Sequence, residues 1–183
     1  SLGSNLLMVM PGAPRTPGVR PSAGSMKSLK VSDYEAISKL DGVKAASPMT
    51  NGSYVVIYQN KNWTTSVSGV SYNYLDVNNW SMKSGRFLSE KNVQNRERVA
   101  VVGKTVVKNL FGDEDPVGAE IRVKNIPFRI IGVLNSKGSG AMGNDQDDMV
   151  IIPYTTAMER VEGIDYLRMI YVVGKDENGI DRL

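Results

Sequence analysis

The chain has 183 residues, 22 Lys plus Arg against 19 Asp plus Glu, a formal charge of +3, no cysteine and no histidine. Those absences exclude a disulfide framework, a Cys/His zinc site, a Ser-His-Asp triad and a thiol nucleophile. The length argues for about one domain, with room for an inserted lobe, and 41% hydrophobic residues suffice for a core.

Arg15, Arg20, Lys27 and Lys30 all precede the first acid, Asp33. They are thinly spread and no aromatic interleaves them, which favours a solvated loop over a nucleic-acid platform. The apolar runs Leu6–Met10 and Met149–Ile152 fall far short of the ~20 residues that span a bilayer. There is no signal-peptide pattern. A chain opening on Ser1 reads as a piece of something longer.

Asn5–Met10 has strand character, and residues 11–31, with Pro11, Pro14, Pro17 and Pro21, read as irregular loop. Ser32-Asp33-Tyr34-Glu35 matches a capping box, and Tyr34, Ile37 and Leu40 follow at helical spacing up to Asp41-Gly42. Tyr54–Gln59 and Trp63–Val70 read as a hairpin turning at Asn60-Lys61-Asn62. In its second strand Thr64, Ser66 and Ser68 form a polar face. Ser71 is placed to cap a short helix through Tyr74 and Leu75 towards Trp80.

Val99–Val102 predicts a strand and Lys104–Leu110 a helix stopped by Gly112. Ala119–Val123 and Phe128–Leu134 predict a hairpin across Lys124-Asn125. A Gly-rich stretch, 138–143, leads into a strand at Met149–Ile152 that Pro153 breaks. A short helix near Thr155–Val161, a strand at Leu167–Val173 and a helix cap at Asn178 complete the reading. Hairpins mixed with short helices predict an α+β fold.

Most candidate chemistry fails on its own terms. Gly138-Ser139-Gly140-Ala141-Met142-Gly143 fits G-x-G-x-x-G, but Asp145, Asp147, Asp148 and a strand follow where a helix should hold phosphate. Gly103-Lys104-Thr105 sits between strand and helix, yet Arg98 stands where a phosphate loop needs glycine. The three aspartates miss the calcium-loop spacing, with Met149 and Val150 at its fifth and sixth positions. They read instead as an acidic edge shielding the next strand from foreign pairing. Asp113-Glu114-Asp115-Pro116-Val117-Gly118 reads as a solvated turn. No catalytic, metal or cofactor-binding residue emerges.

Several segments jointly resemble the periplasmic core domain of MacB-like ABC transporter permeases. They are Leu2-Gly3-Ser4-Asn5-Leu6-Leu7 with Pro11-Gly12, then Ser84-Gly85-Arg86-Phe87 and Arg98-Val99-Ala100-Val101-Val102-Gly103. Leu110-Phe111-Gly112, Asp115-Pro116-Val117-Gly118, Ile126-Pro127-Phe128 and Ile131-Gly132-Val133-Leu134 continue the block. Asp145-Gln146-Asp147-Asp148 and Ile152-Pro153-Tyr154-Thr155-Thr156-Ala157 close it. The matches are collinear along nearly the whole chain.

The resemblance implies a non-catalytic extracytoplasmic domain of a bacterial inner-membrane permease, held between transmembrane helices and driven by an ATPase domain or subunit. It implies a porter-like α/β lobe, residues 1–80 with 153–183 and incomplete at its C-terminal end, and an inserted, mostly β lobe, residues 81–152. A periplasmic adaptor and a dimeric transporter are the implied partners; nucleic acid is not. No cofactor is implied. The tips carrying Gly85, Arg86 and Phe87, and Gly140, Asp145, Gln146 and Asp147, are the candidate partner contacts. The competing expectations are a secreted or surface-attached carbohydrate- or peptide-binding module using the Tyr54–Val70 hairpin, and a carboxylate hydrolase on the three aspartates.

Overall fold

Among the described residues nine strands join one mixed sheet. The computed structural model describes residues 6–11, 29–140 and 143–175. Its strands are β1 (Leu6–Val9), β2 (Val43–Tyr58), β3 (Lys61–Val70), β4 (Met82–Gly85), β5 (Val99–Val102), β6 (Glu120–Val123), β7 (Ile126–Leu134), β8 (Met149–Pro153) and β9 (Met169–Gly174). They lie in the order β1-β9-β2-β3-β8-β5-β7-β4, while β6 pairs with β7 and with the tip of β2. The helices are α1 (Val31–Ser38), α2 (Tyr74–Asn78), α3 (Glu90–Gln94), α4 (Lys104–Leu110) and α5 (Tyr154–Thr156). The last runs straight into a π-helical turn, Ala157–Glu162. The expected α+β class holds, as a strand-rich mixed fold.

Alternation along the strands divides the core between the two sheet faces. Ala100, Val102, Val150 and Ile152 pack with Leu110 of α4 and Phe128. On that same face Leu29, Tyr154, Leu167 and Ile170 form the neighbouring cluster. The intervening residues Val101 and Ile151 pack with Val70, Leu134 and Tyr74 of α2 on the other face. Central strands buried on both faces are apolar throughout, which is why Val99–Val102 and Met149–Ile152 are legible as bare apolar runs.

Several expectations need correction. The cap of α1 is Lys30, whose amide donates to Asp33 Oδ2 at 2.7 Å, so the helix opens before Ser32. The β2–β3 turn is Gln59-Asn60, with Lys61 and Asn62 already paired in β3, and Gln59 takes the strain at φ 53°. Asn73, not Ser71, precedes α2, and Trp80 lies beyond its end. The polar face of β3 forms as expected and runs from exposed Thr64 through half-buried Ser66 to buried Ser68. The acidic run does not guard an edge: β8 is an interior strand, parallel to β3 and antiparallel to β5. The hairpin across Lys124-Asn125 forms as expected, both residues left-handed at φ 51° and 64°. The anticipated cap at Asn178, and most of the irregular 11–31 stretch, fall outside the described residues.

Candidate functional site

The acidic segment 145–148 organises the loop before β8. Asp147 is 5% exposed, and its carboxylate accepts from Ser136 Oγ at 2.6 Å, Lys137 N at 2.7 Å and Gly138 N at 3.0 Å. Burial alone would raise its pKa, but those three donors, with Lys104 nearby, outweigh it and hold the carboxyl below its ordinary 3.8. Asp145 is exposed and accepts from Thr105 Oγ1 at 2.5 Å and from Asp147 N at 2.9 Å. Asp148 Oδ1 takes hydrogen bonds from Trp63 Nε1 at 2.8 Å and Thr65 Oγ1 at 2.7 Å. Of the four candidates here, Asp147 is thus engaged internally, whereas Gly140, Asp145 and Gln146 reach the surface wholly or in part.

The strand-to-helix turn at Gly103 meets the same segment. Gly103 N donates to Met149 O and Thr105 N to Asp147 O, at 3.0 and 3.2 Å. Two of the amides that a phosphate loop would leave open are therefore already used. Among the described residues no group of three or more His, Cys, Asp or Glu is arranged to hold a metal ion.

A cleft of about 370 Å³ opens between this loop and the segment after α2. Its lining includes Ser66, Tyr74, Asn78, Trp80, Asp145 and Gln146. Lys137 also lines it: its Nζ donates to Asn78 O at 3.0 Å and sits 4.4 Å from the Trp80 ring centroid. Burial lowers the Lys137 pKa. Trp80 is fixed at its edge by Nε1 donating to Asn135 O at 2.8 Å. The amide nitrogen of Asn78 is buried without a hydrogen-bond partner.

The other candidate tip is a tight turn. Gly85, at φ 67°, lies against Ile131 O, where a Cβ would come within 2.2 Å. Arg86 donates from its amide to Ile131 O at 2.9 Å and from its guanidinium to Asn92 Oδ1 at 3.1 Å. Asn92 also holds Glu97 and caps α3 with Ser89. Phe87 is stacked on Tyr74, ring centroids 6.4 Å apart. Gly85 and Arg86 are exposed and Phe87 half-buried. Sequence reasoning missed Asn78, Trp80 and Lys137, which meet only through the fold.

The MacB-like periplasmic core domain family matches residues 1–183. The chain belongs to that family. It is 43% identical over 183 residues to the macrolide export ATP-binding/permease protein MacB of Rhodospirillum rubrum, covering 99% of this chain and 28% of that protein. The corresponding protein of Chlorobium luteolum is 38% identical over 182 residues, 99% of this chain and 27% of its own. The chain thus spans about a quarter of these curated relatives' length. The crystal structure of the periplasmic region of MacB from Actinobacillus actinomycetemcomitans superposes with a TM-score of 0.79 at 27% identity, over 96% of this chain and 77% of that one. The extracellular domain of YknZ, a noncanonic ABC-type transporter of Gram-positive bacteria, shares the fold with a TM-score of 0.73 at 19% identity, over 84% and 77%. As a MacB-like periplasmic core domain, the chain is an extracytoplasmic part of a transporter permease. Among its described residues no helix is long and apolar enough to cross a membrane.

Proposed function

We propose that this domain is the non-catalytic, extracytoplasmic relay of an inner-membrane export permease, working as a dimer and coupling cytoplasmic ATP hydrolysis to export or to engagement of a periplasmic adaptor. The observation that carries this reading is the family match along the whole chain. The chemistry agrees with it: the Asp147 and Asp148 carboxylates and the amides of Gly103 and Thr105 are engaged in holding the loop and strands together.

The two-lobe division draws support from strand order. β1, β9, β2 and β3, from the proposed porter-like lobe, are consecutive in the sheet, as are β8, β5, β7 and β4, from the inserted lobe; the two sets join through the β3–β8 pair and through β6 on the tip of β2. The tips at 85–87 and 140–147 are the proposed contacts with the adaptor.

The test uses the full transporter and its adaptor. Arg86→Glu and Asp145→Lys should each weaken adaptor binding measured by surface plasmon resonance, while leaving the fold intact. Unchanged binding in both variants removes these tips from the interface. The domain alone should show no heat of ATP binding in calorimetry; micromolar affinity for ATP would overturn the relay reading.

A further inference from the structure

We infer that Asn92 couples the tip at 85–87 to α5 and the π-helical turn after it, so that a partner seated on Arg86 changes how tightly that helix is held. The role rests on the relay reading, in which the tip meets the adaptor, and supplies that reading with a route inward. Arg86 and α3 belong to the proposed inserted lobe, α5 to the porter-like one.

Asn92 is 5% exposed, and each of its polar groups is engaged. Its Oδ1 accepts from the Arg86 guanidinium at 3.1 Å and from Ser89 N at 2.9 Å, while its Nδ2 donates to Glu97 Oε2. Arginine and a backbone amide can only donate and a carboxylate can only accept, so the Asn92 side chain has one orientation. Its own amide donates to Ser89 Oγ at 3.1 Å, and its carbonyl accepts from Glu97 N at 3.0 Å. Glu97 O in turn accepts from Thr156 Oγ1 at 2.8 Å, and Val93 O, one residue past Asn92, from Thr155 Oγ1 at 2.6 Å. Thr156 is fully buried, where a lost partner is costly. Tyr154, at the start of α5, packs with Leu167 and Ile170 and meets Tyr34 of α1 edge-on at 6.0 Å. A continuous run of hydrogen bonds thus leads from exposed Arg86 through one buried amide to the core of the porter-like lobe.

The carboxylates of the other tip bond differently. Asp145 takes Thr105 and the Asp147 amide, and Asp147 takes Ser136, Lys137 and Gly138, all within residues 81–152. The ion pair of Arg96 with Glu159, at 3.2 Å, also crosses to the π-helical turn, but an exposed pair of this kind contributes little. A buried polar network with every member satisfied responds as a unit, so perturbations at its two ends do not simply add. The coupling is reciprocal: a change at Arg86 is felt at Thr156, and a change at Thr156 at Arg86.

The test is hydrogen exchange of the full chain, read by mass spectrometry, with a double-mutant cycle of Arg86→Ala and Thr156→Val. Arg86→Ala should speed exchange across 154–164 about threefold or more relative to β6, and Thr156→Val should shift the Arg86 Nε resonance in NMR. Together the two should fall short of the product of their separate effects by about twofold or more. In Asn92→Asp, which keeps the acceptor for Arg86 but loses the donor to Glu97, Arg86→Ala should have no further effect at 154–164. Asp145→Lys should leave that segment's exchange unchanged. Asn92→Ala and Thr155→Val stand in where Asn92→Asp or Thr156→Val disturbs folding. Independent effects in the cycle, equal loosening of the whole chain, or unchanged exchange at 154–164 would each overturn the assignment. Adaptor binding that falls with Arg86→Glu while no coupling is seen removes the Asn92 role and leaves the relay reading standing; coupling in a chain that binds no adaptor does the reverse.

Discussion

Trp63 Nε1 donates to Asp148 Oδ1 across 2.8 Å, joining β3 to the residue that launches β8. The two strands run parallel from Ser66↔Met149 onward, so this bond and that of Thr65 close the open end of the seam. Asp148→Ala removes the acceptor of both donors. An unmade bond at a part-buried site costs about 1–3 kcal/mol, and equilibrium urea unfolding should show a loss of that size with an unchanged slope.

Asp147 makes folding sensitive to acid. Its carboxyl is held below the ordinary 3.8 in the folded chain. Its contribution is therefore fully present above that value and is lost as pH falls through the lower folded one. Stability measured between neutral pH and the acid range should fall on that side. Asp147→Asn, which keeps the shape but not the charge, should flatten the slope; a slope unchanged by the substitution would count against this assignment.

Gly103 and Gly112 should respond differently to alanine. A Cβ on Gly103 would lie 2.1 Å from the carbonyl oxygen of Asp147, which belongs to backbone that cannot swing aside. Gly112 has open space and only its φ of 61° to strain. Gly112→Ala should cost about 1 kcal/mol, and Gly103→Ala about 3 kcal/mol or more, read from thermal or chemical unfolding.

Phe128 is fully buried where β7 crosses the cluster of Leu110, Ile130 and Ile152. Phe128→Ala should lower stability by about 3–5 kcal/mol, the usual cost of a large unfilled core space. Calorimetric melting should detect it as a drop of several degrees.

Local pattern revealed what local physics controls. Val99–Val102, Lys104–Leu110 and the Lys124-Asn125 turn are legible because an apolar run, a glycine stop or a left-handed turn pair carries the signal. The first half of β2, with Ala45, Ala46, Ser47 and Pro48, shows no alternation and is a strand because β9 pairs with it. β4 is short and polar, and α3 is five residues long; both depend on contacts rather than propensity. The cleft illustrates the same limit. Asp145 and Gln146 draw notice as an exposed acidic tip, but Asn78 and Lys137 become neighbours only through a hydrogen bond spanning 59 positions.

The pairing of β1 with β9 sets Leu6 opposite Val173. Across an antiparallel pair such residues lie ~4.5–5.5 Å apart. Between Leu6 and Val173 the backbone thus leaves and returns at almost one point, with next to no net displacement. A unit of that geometry can be spliced into a host polypeptide without forcing apart the segments on either side. Grafting residues 6–175 into an exposed loop of an unrelated carrier should leave the carrier folded, read from the carrier's own melting temperature.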